Sequence, residues 1–233
     1  MFTRLAALGM GLSGQRLVDL GTGTGSLARG MAQRGCEVTG VDLSPGMLEA
    51  ARQLDRVDQL DIEYRVAPAE DTGLASDCAE GVTAGQCWHW FDRPKAAAEV
   101  RRLLVPGGRV AIVHFDWLPL DGNLVEQTEA LIERHNPAWT MGGGCGLYPQ
   151  WLRDLGEAGF QGIESFSWDE TVLYGADAWR GRIRASAGGG GTLGNDEVAA
   201  FDQALKDLLA AQFPGESLAV PQRVFIVLAQ SPG

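Results

Sequence analysis

No stretch of this chain is long and apolar enough to read as a membrane span. The one faintly signal-like segment, Leu5 to Leu12 after Arg4, runs almost directly into an apolar strand pattern, which favours a short packing helix. Cysteine is sparse. The four, at 36, 78, 87 and 145, form no Cys-x-x-Cys pair and do not group with the three histidines. No metal centre is expected, and a reducing, cytoplasmic compartment is. Positive charge is short too: the net charge of -11 repels phosphate and anionic lipid. Neither nucleic acid nor a membrane surface is an expected partner. There is no internal repeat. What remains is a chain of 233 residues, 45% of them hydrophobic, which suits one α/β domain with a sizeable core.

The informative stretch is Leu17 to Asp42, LVDLGTGTGSLARGMAQRGCEVTGVD. A short apolar run ends at alternating Gly21, Gly23 and Gly25, which marks a buried strand entering a tight turn. Ser26 is placed to cap a following helix, with Leu27 and Met31 on one face. The free N–H groups at that helix start suit an anionic group. Glu37 to Val41 reads as a second strand, and Asp42 at its end is placed to accept from a ribose diol. Two ligand classes fit such a unit. The dinucleotide fingerprint G-x-G-x-x-G has Ser26 where its last glycine belongs. Asp19, just before the loop, disfavours a pyrophosphate and favours a ligand bearing a cation.

Asp19-Leu-Gly-Thr-Gly-Thr-Gly25 resembles motif I of the class I S-adenosylmethionine (SAM)-dependent methyltransferases, of the methyltransferase type 11 kind. Leu104-Val-Pro-Gly-Gly108 resembles the turn before their fifth strand. The segment Gln86-Cys-Trp-His-Trp90 is similar to the branch that includes trans-aconitate methyltransferases. The resemblance implies a Rossmann-like, seven-stranded, mostly parallel sheet whose last strand is antiparallel. Helices would lie on both faces, with a C-terminal helical substrate cap. It implies SAM as cofactor, held by Asp19, Gly21, Thr22, Gly23, Gly25, Asp42, Leu43, Met47, Ala69, Glu70 and Gln86. Leu43 and Met47 would lie against adenine, although Met47 also reads as ordinary core. Glu70 would reach the adenine amino group, or else belong to an acidic surface loop. Such enzymes often carry a longer N-terminal covering segment. Residues 1–14 leave little room for one, so a lid comes from elsewhere or activity is impaired.

Along the chain, Ser44-Pro45 starts a helix carrying Met47, Leu48, Ala51 and Leu54. Strands are expected at 62–66, 81–86 and 109–115, and a helix begins at Asp92 and Pro94. Val105 to Gly108 reads as the turn into the last of those strands. Beyond Asp116 come a helix over 122–134, a glycine-rich loop over 136–147, a helix over 148–158 and a strand within 160–173. A helix over 176–187, a glycine-rich stretch over 188–194, a helix over 196–212 and a buried strand over 220–229 complete the chain. This divides a single domain into a SAM-binding half (1–116), a substrate cap with the sixth-strand region (117–219) and a final strand (220–229).

Strand ends at the ligand edge of an open α/β sheet build the crevice, so Gln86, Cys87, Trp88, His89 and Trp90 are expected near the transferred methyl. His89 reads as a general base, as a ligand for a substrate carboxylate or carbonyl, or as a structural histidine under two tryptophans. Arg180 and Arg184 share a helix face and suit a carboxylate bidentately, or form a solvated face over a core anchored by Trp179. The expected reaction is direct methyl displacement onto a small-molecule acceptor, with no catalytic residue assigned, by a monomer or homodimer. A non-catalytic SAM-binding protein and an NAD(P)-dependent oxidoreductase are the alternatives.

Overall fold

The structure, a computed structural model, describes residues 1–186, 188 and 193–233. The chain divides into two compact units. The first comprises Met1–His114, Tyr148–Phe166 and Phe225–Gly233; the second comprises Phe115–Leu147 and Ser167–Val224.

The first unit opens with α1 (Phe2–Ala7), a short helix that buries Leu5. Three βα steps follow, with one helix-free crossover among them. Strand β1 (Arg16–Leu20) leads to α2 (Ser26–Ala32), and β2 (Glu37–Asp42) leads to α3 (Pro45–Asp58). Strand β3 (Glu63–Val66) passes through irregular residues 67–78 to β4 (Ala79–Gly85). A single 3-10 turn, Trp88–Trp90, precedes α4 (Arg93–Leu103) and β5 (Leu104–Trp117). Then come α5 (Leu124–His135), α6 (Gln150–Glu157), β6 (Gln161–Tyr174), α7 (Ala176–Arg184), α8 (Asn195–Gln212) and β7 (Leu218–Gln230).

The seven strands are ordered β3-β2-β1-β4-β5-β7-β6. Strands β1 to β5 pair in parallel. Gly108 accepts from the Ser231 amide and Pro221 from the Leu118 amide. Partner numbers fall as β5 advances, so β7 runs antiparallel to it. This is the expected sheet, with the last strand inserted between two earlier ones. The apolar run VFIVLA suits that position: neighbours on either side pair both of its backbone edges, and all six side chains, which alternate between the two faces of the sheet, are buried.

Local chemistry explains most boundaries. Ser44 caps α3, its hydroxyl accepting from the Met47 amide at 3.3 Å, with Pro45 in the first turn. Asn123 caps α5 in the same way, through the Glu126 amide at 2.9 Å. Two details depart from expectation. Ser26 does not cap α2: Gly25, in left-handed conformation, is the cap residue and Ser26 is already helical. Val105 to Gly108 is not a turn ahead of β5 but lies inside it. Ala79 pairs with Leu104 while Gly81 pairs with Arg109, so the proline and glycines are looped out as a bulge. The expected helix end at Ala187 and most of the glycine stretch after it lie outside the described residues.

The first unit's core joins Val18, Leu20, Val82 and Ile112 of the sheet to Val100 and Leu103 of α4. The second has a separate core in which Trp179 and Ile183 meet Leu131, Phe201 and Leu205.

Candidate functional site

The site is built in the first unit, where β1, β2 and β4 end. Gly21, Gly23 and Gly25 all have positive φ, at 59°, 57° and 79°. Their surroundings differ. A Cβ on Gly21 would lie 2.8 Å from Cys87 Sγ, and one on Gly25 would lie 2.6 Å from the Tyr64 hydroxyl. A Cβ on Gly23 would meet nothing within 4 Å. Two glycines therefore let the protein pack on itself, and the middle one leaves open space over the loop. Asp19 is only 1% exposed and accepts from the Thr22 and Thr83 hydroxyls at 2.6 and 2.5 Å. Burial pushes its pKa up to about 6, against the opposing pull of those two hydroxyls. Asp19 thus ties the loop, through Thr22, to β4, through Thr83.

Asp42 takes up position beside that opening. One carboxylate oxygen accepts from the Gly23 amide at 2.8 Å and the other from the Ser44 amide at 2.8 Å. A carboxylate offers about four lone-pair directions, so two remain for a ligand. Leu43 is 68% exposed and Met47 49% exposed. Met47 is therefore not ordinary core, and the two side chains offer an apolar surface next to Asp42.

Beneath Gly25 lies a cluster that the sequence did not announce. Arg29 donates to the Thr24 carbonyl at 2.5 Å and lies 3.6 Å from both Asp55 and Asp58. The Tyr64 hydroxyl and Asp55 Oδ1 are buried beside it without a well-formed hydrogen bond. Burial, reinforced by Asp55, pushes the Tyr64 phenol well above its ordinary value. A lone arginine in α2 and a tyrosine in an edge strand carry no sequence signal for this meeting. Thr83 is different: a polar residue in the apolar strand GVTAG is a legible hint of a buried partner.

Ala69 is buried in the core, and Glu70 gives one oxygen to the Asp92 amide at 2.8 Å. Glu70 thereby ties residues 67–78 to the start of α4. Gln86 follows β4 in a left-handed conformation (φ 63°), exposed at the strand end. The next residues separate. Cys87 packs against Gly21 and donates to the Leu20 carbonyl at 3.1 Å. Trp88 is fully buried, its indole N–H donating to Asp154 at 3.0 Å. These two belong to the scaffold. Trp90 is 64% exposed, and the half-buried His89 lies between it and His114, at ring distances of 4.8 and 5.5 Å. His114 in turn meets Tyr148 and Trp151, which stack at 4.2 Å. His89 Nδ1 is enclosed without a hydrogen-bond partner, and burial lowers the His89 pKa.

Arg180 and Arg184 lie in the second unit and do not form an open anion receptor. Both guanidinium groups pair with Asp202 of α8, and Arg180 also pairs with Asp177 at 2.9 Å. The expected carboxylate is one of the chain's own. Trp179 beneath them is fully buried, as the core-anchor alternative required. Among the described residues there is no cluster of three potential metal ligands, and no helix is long and apolar enough to cross a membrane.

Comparison with known proteins places this geometry. A methyltransferase-domain family model matches residues 18–112. The chain is 31% identical over 183 residues to a ubiquinone biosynthesis O-methyltransferase of Xanthomonas axonopodis pv. citri, covering 75% of this chain and 72% of that protein. It is 33% identical over 161 residues to an uncharacterised methyltransferase of Mycobacterium tuberculosis, covering 60% of this chain and 63% of the relative's length. Its fold matches a Haemonchus contortus phosphoethanolamine N-methyltransferase bound to phosphomonomethylethanolamine and S-adenosylhomocysteine, at 22% identity and a TM-score of 0.58. That match covers 99% of this chain and 52% of the other. The chain belongs to the class I methyltransferases. Membership sets aside the oxidoreductase alternative; the trans-aconitate branch remains an expectation from one short segment.

Proposed function

We propose that this protein transfers a methyl group from SAM to a small-molecule acceptor by direct displacement. The observation that carries the reading is the open space over Gly23 beside Asp42. A positive-φ glycine with nothing above it, a carboxylate with free lone pairs and the exposed Leu43 and Met47 suit a ribose, an adenine and a close backbone approach. The buried Asp19 carboxylate beneath the loop favours a ligand carrying positive charge. When bound, SAM supplies a methyl group already activated on sulfur. The chain's own work is then to hold the adenosyl part through Asp42 and the loop, and to align an acceptor in a site shielded from water. An ionised nucleophile needs no base, so no catalytic dyad is required. The half-buried His89 and the exposed Trp90 support an acceptor of small size with a planar or apolar part.

The test is titration calorimetry with SAM, S-adenosylhomocysteine and NADH in parallel. Micromolar binding of the two adenosyl ligands with NADH silent is the expected result. Asp42→Ala should raise the SAM dissociation constant more than about tenfold, or about 1.4 kcal/mol. Unchanged affinity in that variant would refute the assignment. Binding without turnover across carboxylic acids, phenols and amines would instead favour a non-catalytic SAM-binding protein.

A further inference from the structure

We infer that His89 binds the methyl acceptor as a hydrogen-bond donor, through Nε2–H, and does not act as its general base. This rests on the methyltransferase reading above and deepens it. The warrant is the unequal surroundings of the two ring nitrogens. Nδ1 is enclosed and has no hydrogen-bond partner. Nε2 makes no hydrogen bond among the described residues either, but it is not enclosed. The rings on either side are Trp90 and His114, at 4.8 and 5.5 Å.

A neutral imidazole must place its single proton on one nitrogen. A proton on Nδ1 would trap an N–H donor in the enclosed pocket with no acceptor. A proton on Nε2 leaves only a lone pair enclosed and sends the donor to the open side. Orphaned buried N–H groups are the rarer of the two defects in folded proteins, so the Nε2–H form is favoured. Burial also lowers the pKa of the ring, which keeps it neutral at pH 7. A neutral Nε2–H group has no lone pair on its accessible side and cannot take a proton from the acceptor. It recognises an sp2 oxygen, a carbonyl or a carboxylate. The 3-10 turn supports this placement. Trp88 is anchored in the core through Asp154, which fixes the turn, while His89 is half-buried and Trp90 exposed.

Long-range proton–nitrogen correlation spectra of histidine-labelled protein, with and without S-adenosylhomocysteine, test the inference. The chain has three histidines, so His89→Gln assigns the signal at once. A neutral ring protonated at Nε2 near pH 7.5 is the expected result. A proton on Nδ1, or an imidazolium, would overturn it. Kinetics on aromatic carboxylates, hydroxyaryl ketones and phenols give a second readout. His89→Ala should raise KM about tenfold or more with kcat within about threefold, while His89→Gln, which keeps a donor, stays within about threefold in both. A loss confined to kcat, with a pH limb that disappears in His89→Gln, would identify a base and also overturn the inference. The tautomer measurement needs neither SAM binding nor turnover. Failure of the calorimetry would therefore refute the proposed function without being mistaken for failure here.

Discussion

Gly23 and Gly25 have the same handedness of backbone and opposite surroundings, so one substitution separates their roles. Gly23→Ala meets no neighbour and should destabilise by only about 1 kcal/mol, the strain of a positive φ. Its methyl group would fill the space a ligand needs, so SAM affinity should fall about tenfold or more in calorimetry. Gly25→Ala adds a close approach to the Tyr64 hydroxyl and should lose more stability, about 2–3 kcal/mol in denaturant titration. Equal effects on stability would show that strain, not packing, governs both. Asp19 makes a pH-dependent prediction. Its folded pKa of about 6 lies above the ordinary carboxyl value, so the folded state binds the proton more tightly. Stability should fall as pH rises from about 4 to about 6 and level off above, by roughly 3 kcal/mol in all. Asp19→Asn should abolish that slope in thermal melts across this pH range and weaken SAM binding. A variant with an unchanged slope would place the titration elsewhere.

At the scale of elements, the irregular connection 67–78 is held by carboxylates and not by a helix. Glu99 of α4 accepts from the Thr72 amide and hydroxyl at 2.9 and 2.6 Å and from Arg102 twice at 2.7 Å. Burial opposes the charge, yet these donors outweigh it and hold the Glu99 pKa down at about 2. The sign is the reverse of Asp19: the stabilisation is present above the ordinary glutamate value and is lost as pH falls toward 2. Glu99→Gln should lower stability at pH 7 by about 1–3 kcal/mol and flatten the acid limb of the stability profile. An acid limb as steep as wild type would exclude Glu99 as its source. Strand β3 carries the opposite kind of defect. The Tyr64 hydroxyl is buried without a well-formed partner, so Tyr64→Phe should be neutral or stabilising in the same titration. A clear loss would mean that Asp55 holds the hydroxyl more firmly than their geometry shows.

At the scale of the molecule, two cores stabilise two units. Asp202 joins Arg180 and Arg184 across α7 and α8 of the second unit. Asp202→Ala leaves Arg184 without its carboxylate and Arg180 with only the exposed Asp177, and should destabilise by about 1–2 kcal/mol. SAM affinity should stay within about twofold, since every residue assigned to the cofactor belongs to the first unit. A large loss of affinity would overturn the placement of the cofactor in the first unit alone.

The local and periodic features were legible in the chain itself. Alternating glycines after an apolar strand, Asp42 at the end of the next, Ser44-Pro45 before a helix, and an apolar final strand all act over a few residues, where backbone sterics and capping dominate. From these came the loop and most element positions, whereas the seven-stranded sheet with its antiparallel last strand was implied by the resemblance that the glycine motif and the Pro106-Gly-Gly108 segment carry. Tertiary structure decided what each polar group faces. Asp19 is buried among hydroxyls, Trp88 belongs to the core while Trp90 does not, and Arg180 and Arg184 meet Asp202. It likewise decided that Arg29, Asp55 and Tyr64 gather under Gly25 and that one nitrogen of His89 is closed off. Those outcomes depend on contacts between residues far apart in sequence. Burial and partnership, which set charge and hydrogen bonding, arise only when the strands and helices have packed.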